Sequence, residues 1–228
     1  ATSAGGEGAA TPAGSDPDAE PIGPLGERID YSSLHCANFM SGTVRQVHYG
    51  HRTMMDRQLR LAAEEVRPGS GGVGDDADGD GLSSLPRPLD VVYFWKIGTD
   101  DVRTGNNRDS VKDALLRMKD EKDGLSVYAD AFAPGVGSTY DENVMSLLAR
   151  EIIRYKVVVV AQKDNYEGHY RLMDALLSGA LVLTDPMHPL PVGLEDGRSV
   201  VVYRSIKELR EKIAYYLRHE EERKEVGR

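Results

Sequence analysis

The sequence has almost no cysteine, no long apolar run and no glycosylation acceptor site. Cys36 is the only cysteine in 228 residues, so an internal disulfide framework is excluded. No stretch of about 18 apolar residues is present, which predicts that no helix crosses a membrane. The chain does not open with the charged and then apolar segment of a secretory signal. We therefore expect a cytoplasmic location by default, or the Golgi if a membrane anchor precedes Ala1.

Basic residues are also in deficit, and the excess acid lies in two segments. The formal net charge is −9. Residues 1–30 hold six acids against one arginine, and residues 67–90 hold five acids against two arginines. The rest is nearly neutral and lacks the clustered lysine and arginine with which nucleic-acid binders neutralise phosphates. Nucleic acid is therefore not an expected partner, whereas a site for one small anion stays open.

Composition divides the chain into five parts. Residues 1–30 are rich in Gly, Ala, Pro, Ser and acid and are predicted to be disordered. Residues 31–66 are predicted to form a short, mostly helical segment, and residues 67–88 an acidic Gly/Pro linker. Residues 89–220 have the pattern of an α/β domain. Residues 221–228 are predicted to be a frayed, charged tail.

Short valine-rich runs alternate with helical periodicity from residue 89 onward. Five strands are predicted, at residues 91–95, 126–129, 157–161, 181–184 and 200–203. The third begins with four valines in a row, which is typical of a strand buried on both faces of a parallel sheet. The alternation of strands and helices predicts a Rossmann-like, doubly wound parallel sheet with right-handed crossovers.

Helical periodicity predicts which side chains face the core. For the four clearest helices the expected inward residues are Met55, Leu59, Ala62, Ala63 and Val66; Val111, Leu115 and Met118; Val144, Leu147, Leu148 and Ile152; and Ile206, Leu209, Ile213, Tyr216 and Leu217. Thr53 with Asp56 is a possible start of the first helix. Gly179 is a good C-terminal cap for the helix that is predicted from near His169 to Ser178. Ser205 with Glu208 forms a capping box for the last helix.

Ligands of open parallel sheets bind beyond the carboxyl ends of the strands, which selects the loops at residues 96–108, 162–170 and 185–193. The first loop ends with Arg108 just before a helix, whose free N–H groups and positive dipole end favour a phosphate that the arginine can clamp. The alternative is a solvated loop in which the arginines pair with neighbouring aspartates such as Asp109. Both interpretations stay open.

The second loop and its helix carry more polar residues. Glu167, Arg171, Asp174 and Ser178 fall on one side of the helix, opposite the leucines. In a ligand site the carboxylates hold sugar or ribose hydroxyls, while Lys163 and Arg171 meet phosphate. In the alternative this side faces water, and its charges form only ion pairs and a helix cap. Spacing alone does not choose between the two.

No metal site is predicted. Residues 76–81 match the first half of a calcium loop, but Arg87 stands at the twelfth position, where a bidentate glutamate is required. The histidines and the cysteine within residues 35–51 match no common zinc spacing.

The third and fourth predicted strands, with the helix between them, resemble the C-terminal lobe of GT-B fold glycosyltransferases. The similarity rests on KVVVVA at residues 156–161 and on HYRLMDALLSGALVLTD at residues 169–185. It is strongest to the group 1 glycosyltransferases, including the spore-protein-like branch. The segment at residues 171–179 is also similar to exostosin-type transferases, and Arg154-Tyr155-Lys156 with Arg171 to α1,3-fucosyltransferases.

The resemblance implies a hexosyltransferase-type enzyme that moves a sugar from a nucleotide-sugar donor to a glycan, lipid or protein acceptor. It implies that Asp174 binds the donor ribose, that Glu167 faces the sugar, and that Arg171, with Arg108 or Lys96, contacts the diphosphate. The group 1 pattern is Glu-x7-Glu, whereas this chain has Glu-x6-Asp. Basic side chains and a helix N-terminus can neutralise the leaving diphosphate, so no metal or other cofactor is expected. No catalytic residue is assigned.

A GT-B enzyme has two such lobes, and residues 31–66 are too short to be the second. The chain is therefore expected to represent mainly the donor-binding lobe and to be incomplete for catalysis alone. Two alternatives stay open. One is a non-catalytic α/β binding or interaction module, and the other is a different nucleotide-sugar enzyme, such as an epimerase.

Overall fold

A computed structural model describes residues 42–67, 81–94, 107–121, 124–132, 142–161, 170–187, 190 and 193–228. The predicted disordered segment at residues 1–30 lies outside the described residues, and so do residues 68–80 of the predicted linker.

Five parallel strands form one sheet. They are β1 (Leu89–Tyr93), β2 (Val127–Ala129), β3 (Tyr155–Val160), β4 (Leu181–Thr184) and β5 (Val201–Val202). Their order across the sheet is β2-β1-β3-β4-β5, and every neighbouring pair is parallel. The predicted α/β, Rossmann-like parallel sheet is confirmed.

The run of valines explains why β3 lies at the centre. Val157 pairs with Val91 of β1 on one side and with Leu181 of β4 on the other. All four valines of the run are buried. A central strand satisfies its backbone through two neighbours, while helices cover both of its faces, so no position in it favours a polar side chain.

Within the part of the chain that the structure describes, six helices accompany the sheet, together with a 3-10 turn at Leu82–Ser84. The helices are α1 (Gly42–Val66), α2 (Asn107–Glu121), α3 (Glu142–Ile152), α4 (Tyr170–Leu177), α5 (Ile206–Arg218) and α6 (Glu220–Val226). The crossovers from β1 to β2 and from β2 to β3 run in opposite directions, so right-handed connections place α2 and α3 on opposite faces. Accordingly, α2 packs with α5, whereas α1 packs with α3 and α4.

Local signals fix two helix ends as predicted. The Ser205 hydroxyl accepts a hydrogen bond from the backbone N–H of Glu208 at 3.1 Å and so caps α5. Gly179 follows α4 with a φ of 69°, a conformation that disfavours any residue with a Cβ. A Cβ there would also lie 2.7 Å from the backbone nitrogen of Ser83. The end of α4 therefore packs directly on the 3-10 turn.

Three expectations for the helices are wrong. Helix α1 begins at Gly42, well before Thr53. A residue that could cap the start of a helix does not force the helix to begin there when the preceding residues are also helical. Val66, the last residue of α1, is 43% exposed, and Leu147 is 47% exposed. In α3 the buried side instead includes Met145, which shares a face with Glu142. The carboxylate of Glu142 accepts a hydrogen bond from Gln58 of α1, so α1 covers that side.

Two segments expected to be irregular are ordered. The tail forms α6, which buries Arg223 and Val226 and packs against β4. Its exposed side is supported by pairs such as Lys224 with Glu220, whose Nζ and Oε1 lie 2.9 Å apart. The last part of the predicted linker, residues 81–88, buries Leu85 and Arg87. Within the described residues, no helix is long and apolar enough to cross a membrane.

Candidate functional site

The strand order creates a switch point between β1 and β3. The chain leaves β1 towards β2 on one side and leaves β3 towards β4 on the other. Two connections that diverge from adjacent carboxyl ends leave a crevice between them, which is where α/β sheets of this kind bind ligands. Lys96, Lys163 and Glu167 belong to the segments that follow these two strands, and they lie outside the described residues. Arg108, Arg171 and Asp174 are described.

Arg108 spans the switch point. It is the second residue of α2, the helix that follows β1. Its side-chain Nε donates a hydrogen bond to the backbone carbonyl of Ala161 at 3.1 Å, and Ala161 is the residue directly after β3. The guanidinium therefore connects the two strand ends between which a ligand is expected.

Arg171 and Asp174 lie on α4, the helix that follows β3. Arg171 is the second residue of this helix. Its Nη1 lies 4.0 Å from Oδ2 of Asp174, and the two side chains are 14% and 1% exposed. The polar side of α4 is thus not a water-facing surface, because Asp174 and Ser178 are fully buried. Burying a carboxylate is costly unless an opposite charge compensates it, and Arg171 supplies that charge.

Two buried tyrosines, which the sequence analysis missed, hold the strand ends. The Tyr93 hydroxyl donates to the backbone carbonyl of Arg108 at 3.1 Å, and the Tyr203 hydroxyl donates to the carbonyl of Val160 at 3.1 Å. Burial raises the pKa of Tyr93 well above its ordinary value. The nearby Asp185 raises this pKa further, although Arg108 opposes the shift. Tyr93 therefore stays protonated and acts as a hydrogen-bond donor, not as a base.

Asp185 is a third residue to which the sequence pattern assigned no role. It directly follows β4 and is buried. Its charge raises the pKa of Tyr93, the last residue of β1. The signal that could have found Asp185 is its place as the first polar residue after a buried strand, in one of the three selected loops.

A groove of about 660 Å³ lies at the opposite edge of the sheet. Its lining includes Pro88 and Arg154, which directly precede β1 and β3. Arg154 is already paired with Glu151 at 2.9 Å. Because parallel sheets bind ligands at their carboxyl ends, we place the candidate site at the switch point and not in this groove. Within the described ranges, no cluster of three potential metal ligands is found.

Comparison with known proteins bears on the same part of the chain. Residues 126–228 match the model of a protein family described as Glycosyl transferase-like. The match covers Arg171, Asp174 and Asp185, and it begins after β1 and α2, the region that contributes Arg108. Among curated proteins, a sequence comparison finds no significant match. The match covers less than half of the chain and shows that residues 126–228 are similar to glycosyltransferases.

Proposed function

We propose that this chain binds a nucleoside diphosphate sugar at the switch point between β1 and β3, as the donor-binding lobe of a GT-B, hexosyltransferase-type glycosyltransferase. One observation carries the proposal. The two helices that follow these adjacent strands, α2 and α4, each have an arginine as their second residue, Arg108 and Arg171. Each helix start adds backbone N–H donors and a positive dipole end. Two such starts facing one crevice suit a diphosphate.

Each residue has a role in this proposal. Arg108 and Arg171 contact the diphosphate, since guanidinium groups pair with phosphate oxygens in bidentate fashion. Asp174 accepts hydrogen bonds from the ribose hydroxyls. Lys96 and Lys163 add positive charge near the phosphates, and Glu167 faces the sugar. The roles of Lys96, Lys163 and Glu167 rest on the sequence alone.

The same groups favour the chemical step. When the bond between sugar and diphosphate breaks, negative charge grows on the leaving group, and fixed positive groups stabilise that charge more in the transition state than in the ground state. Arg108 and Arg171 can supply this stabilisation without a metal. The acceptor is a glycan, a lipid or a protein. We assign no general base to the described residues.

Calorimetry tests the proposal directly. Uridine diphosphate and guanosine diphosphate are titrated into the wild type, Arg171→Ala and Arg198→Ala, first without added metal and then with EDTA. Losing a hydrogen bond to a charged group costs about 1.5–3 kcal/mol, so Arg171→Ala should weaken binding roughly tenfold or more. Arg198 is a matched control, because its side chain is 79% exposed and lies before β5, at the other edge of the sheet.

The outcomes separate the alternatives. If neither nucleotide binds the wild type at millimolar concentration, or if Arg171→Ala binds like the wild type, the interaction-module alternative replaces the proposal. Incubation with a nucleotide sugar then distinguishes the two enzyme classes. An epimerase converts the sugar while it stays attached to the nucleotide, whereas a transferase releases nucleoside diphosphate when an acceptor is added.

A further inference from the structure

The hydrogen bonds around Arg108 fix this residue at both ends. The main-chain carbonyl accepts from Tyr93, and the side-chain Nε donates to the carbonyl of Ala161, each at 3.1 Å. The first anchor belongs to the end of β1 and the second to the residue after β3. Because both anchors lie at the carboxyl ends of two adjacent strands, the sheet sets the orientation of the guanidinium.

The hydrogen bond to Arg108 is a visible reason for a tyrosine at position 93 instead of a phenylalanine. The Tyr93 ring is fully buried in the core, where an apolar ring packs equally well. The hydroxyl adds a donor that reaches the first turn of α2. That carbonyl also accepts the regular helical bond from the residue four positions later, and an oxygen with two lone pairs can accept both bonds. First turns fray, because part of their hydrogen bonding has no partner in the helix, so the additional bond holds the turn that carries Arg108.

We propose that Tyr93 is a positioning residue of the donor site, whose hydroxyl holds the first turn of α2 so that Arg108 faces the diphosphate. The inference rests on the function proposed above. Tyr93 touches neither donor nor acceptor in this scheme and acts through Arg108 alone. It therefore affects the diphosphate part of a ligand and not the nucleoside part.

A double-mutant cycle measures that dependence. Uridine diphosphate, guanosine diphosphate and inorganic pyrophosphate are titrated into Tyr93→Phe, Arg108→Ala and the double variant. Tyr93→Phe should weaken nucleotide and pyrophosphate by the same factor, about three- to tenfold, as expected for one buried hydrogen bond. In the Arg108→Ala background, Tyr93→Phe should have no further effect, because the residue through which it acts is gone. Additive losses in the cycle would overturn the proposal.

Two matched tyrosines serve as controls. Tyr128→Phe removes a hydroxyl that also donates to a backbone carbonyl at 3.1 Å and lies at the same edge of the sheet, but its acceptor is Ala131. This variant should bind nucleotide like the wild type. Tyr203→Phe removes a buried hydroxyl comparable to that of Tyr93, so its loss of thermal stability shows how much of the Tyr93→Phe effect is general destabilisation.

A measurement without ligand separates the inference from the proposed function. The Nε–H of Arg108 is followed by ¹H–¹⁵N NMR hydrogen exchange and assigned through its loss in Arg108→Lys. In Tyr93→Phe its exchange should accelerate several-fold, whereas Tyr128→Phe leaves it unchanged. The wild type could bind no diphosphate while the exchange still accelerates in Tyr93→Phe. That result would support the positioning role of Tyr93 and contradict the proposed donor site. Unchanged exchange overturns the positioning role whatever the ligand data show.

Discussion

The two edges of the sheet use their charged residues in opposite ways. At the amino edge, Arg87 is buried and donates four hydrogen bonds to backbone carbonyls. Its Nη1 reaches Ile153 and Tyr155 at 3.0 and 2.9 Å, and its Nη2 reaches Leu82 and Ser178 at 3.1 and 2.5 Å. At the carboxyl edge, Arg108 and Arg171 begin helices that face a crevice.

The acceptors of Arg87 show what the amino edge does. Ile153 follows α3 and Ser178 follows α4, so their carbonyls lie at helix ends where partial negative charge collects. One guanidinium thereby satisfies two helix ends and the 3-10 turn. Burial, reinforced by the nearby charge of Arg223, lowers the pKa of Arg87 to about 9, so it remains protonated at neutral pH. Charge at this edge holds the fold, whereas charge at the other edge belongs to the proposed donor site.

Arg87→Met should give the largest loss of stability. Four carbonyls, three of them in buried hydrogen bonds, would lose a charged partner that an apolar side chain of similar length cannot replace. Removing one member of such a buried, charged arrangement typically costs about 3–5 kcal/mol in the free energy of unfolding. Urea denaturation measures this loss. Arg154→Met is the control, since Arg154 lines the same groove but is exposed and paired with Glu151, and it should change little. Equal losses of unfolding free energy in the two variants would contradict the difference between buried and exposed charge at this edge.

Asp90→Asn tests the amino edge through pH. The carboxylate of Asp90 accepts from Lys156 at 2.7 Å and from the hydroxyl and N–H of Ser126, both at 3.0 Å. Burial raises its pKa, but these hydrogen bonds outweigh burial and hold the pKa below the usual range. Since the folded-state pKa is the lower one, the stabilisation is complete at neutral pH and is lost as the pH falls below about 4.

The expected loss for Asp90→Asn at pH 7 is about 1–2 kcal/mol in the free energy of unfolding. The difference from the wild type should shrink when the pH is lowered below about 4. Asp130→Asn provides the comparison, because Asp130 also pairs with a lysine, Lys112 at 3.2 Å, but its side chain is 64% exposed. A difference for Asp90→Asn that stays constant with pH would contradict the role assigned to its charge.

Asp174→Asn should have the smallest effect of these substitutions, and it tests ligand binding at the carboxyl edge. The substitution keeps the size of the side chain but weakens its acceptance of ribose hydroxyls. Uridine or guanosine diphosphate should bind about three- to tenfold more weakly, while inorganic pyrophosphate should bind equally well or better, because one nearby negative charge is gone. Calorimetry with both ligands measures the split, with Asp130→Asn as the unaffected control. Parallel losses for both ligands would show that Asp174 does not contact the nucleoside.

The sheet could be predicted from the sequence because its signals are local. The valines of β3 exclude a half-exposed strand, Gly179 provides the conformation that ends α4, and Ser205 supplies the cap of α5. Each of these depends on residues close in the chain. The switch point followed from the strand–helix alternation and a general rule for parallel sheets.

Interactions between distant residues could not be predicted in this way. Arg87 lies in a segment whose Gly/Pro composition is typical of a linker, and three of its four acceptors follow it by 66 residues or more. The hydrogen bonds from Tyr93 and Tyr203 to backbone carbonyls likewise cannot be predicted from a sequence pattern. For the candidate site, the pattern did select Arg171 and Asp174, but it could not show that the polar side of α4 is buried.

The long reach of Arg87 has a consequence for the order of folding. Its bonds to Ile153, Tyr155 and Ser178 can form only after β1 and β3 have paired and α4 has docked, and closing such long loops is slow. We expect these bonds to be absent from the folding transition state. An interaction formed that late leaves the folding rate nearly unchanged and slows unfolding. We therefore expect Arg87 to lengthen the lifetime of the folded molecule and to leave its folding rate nearly unchanged.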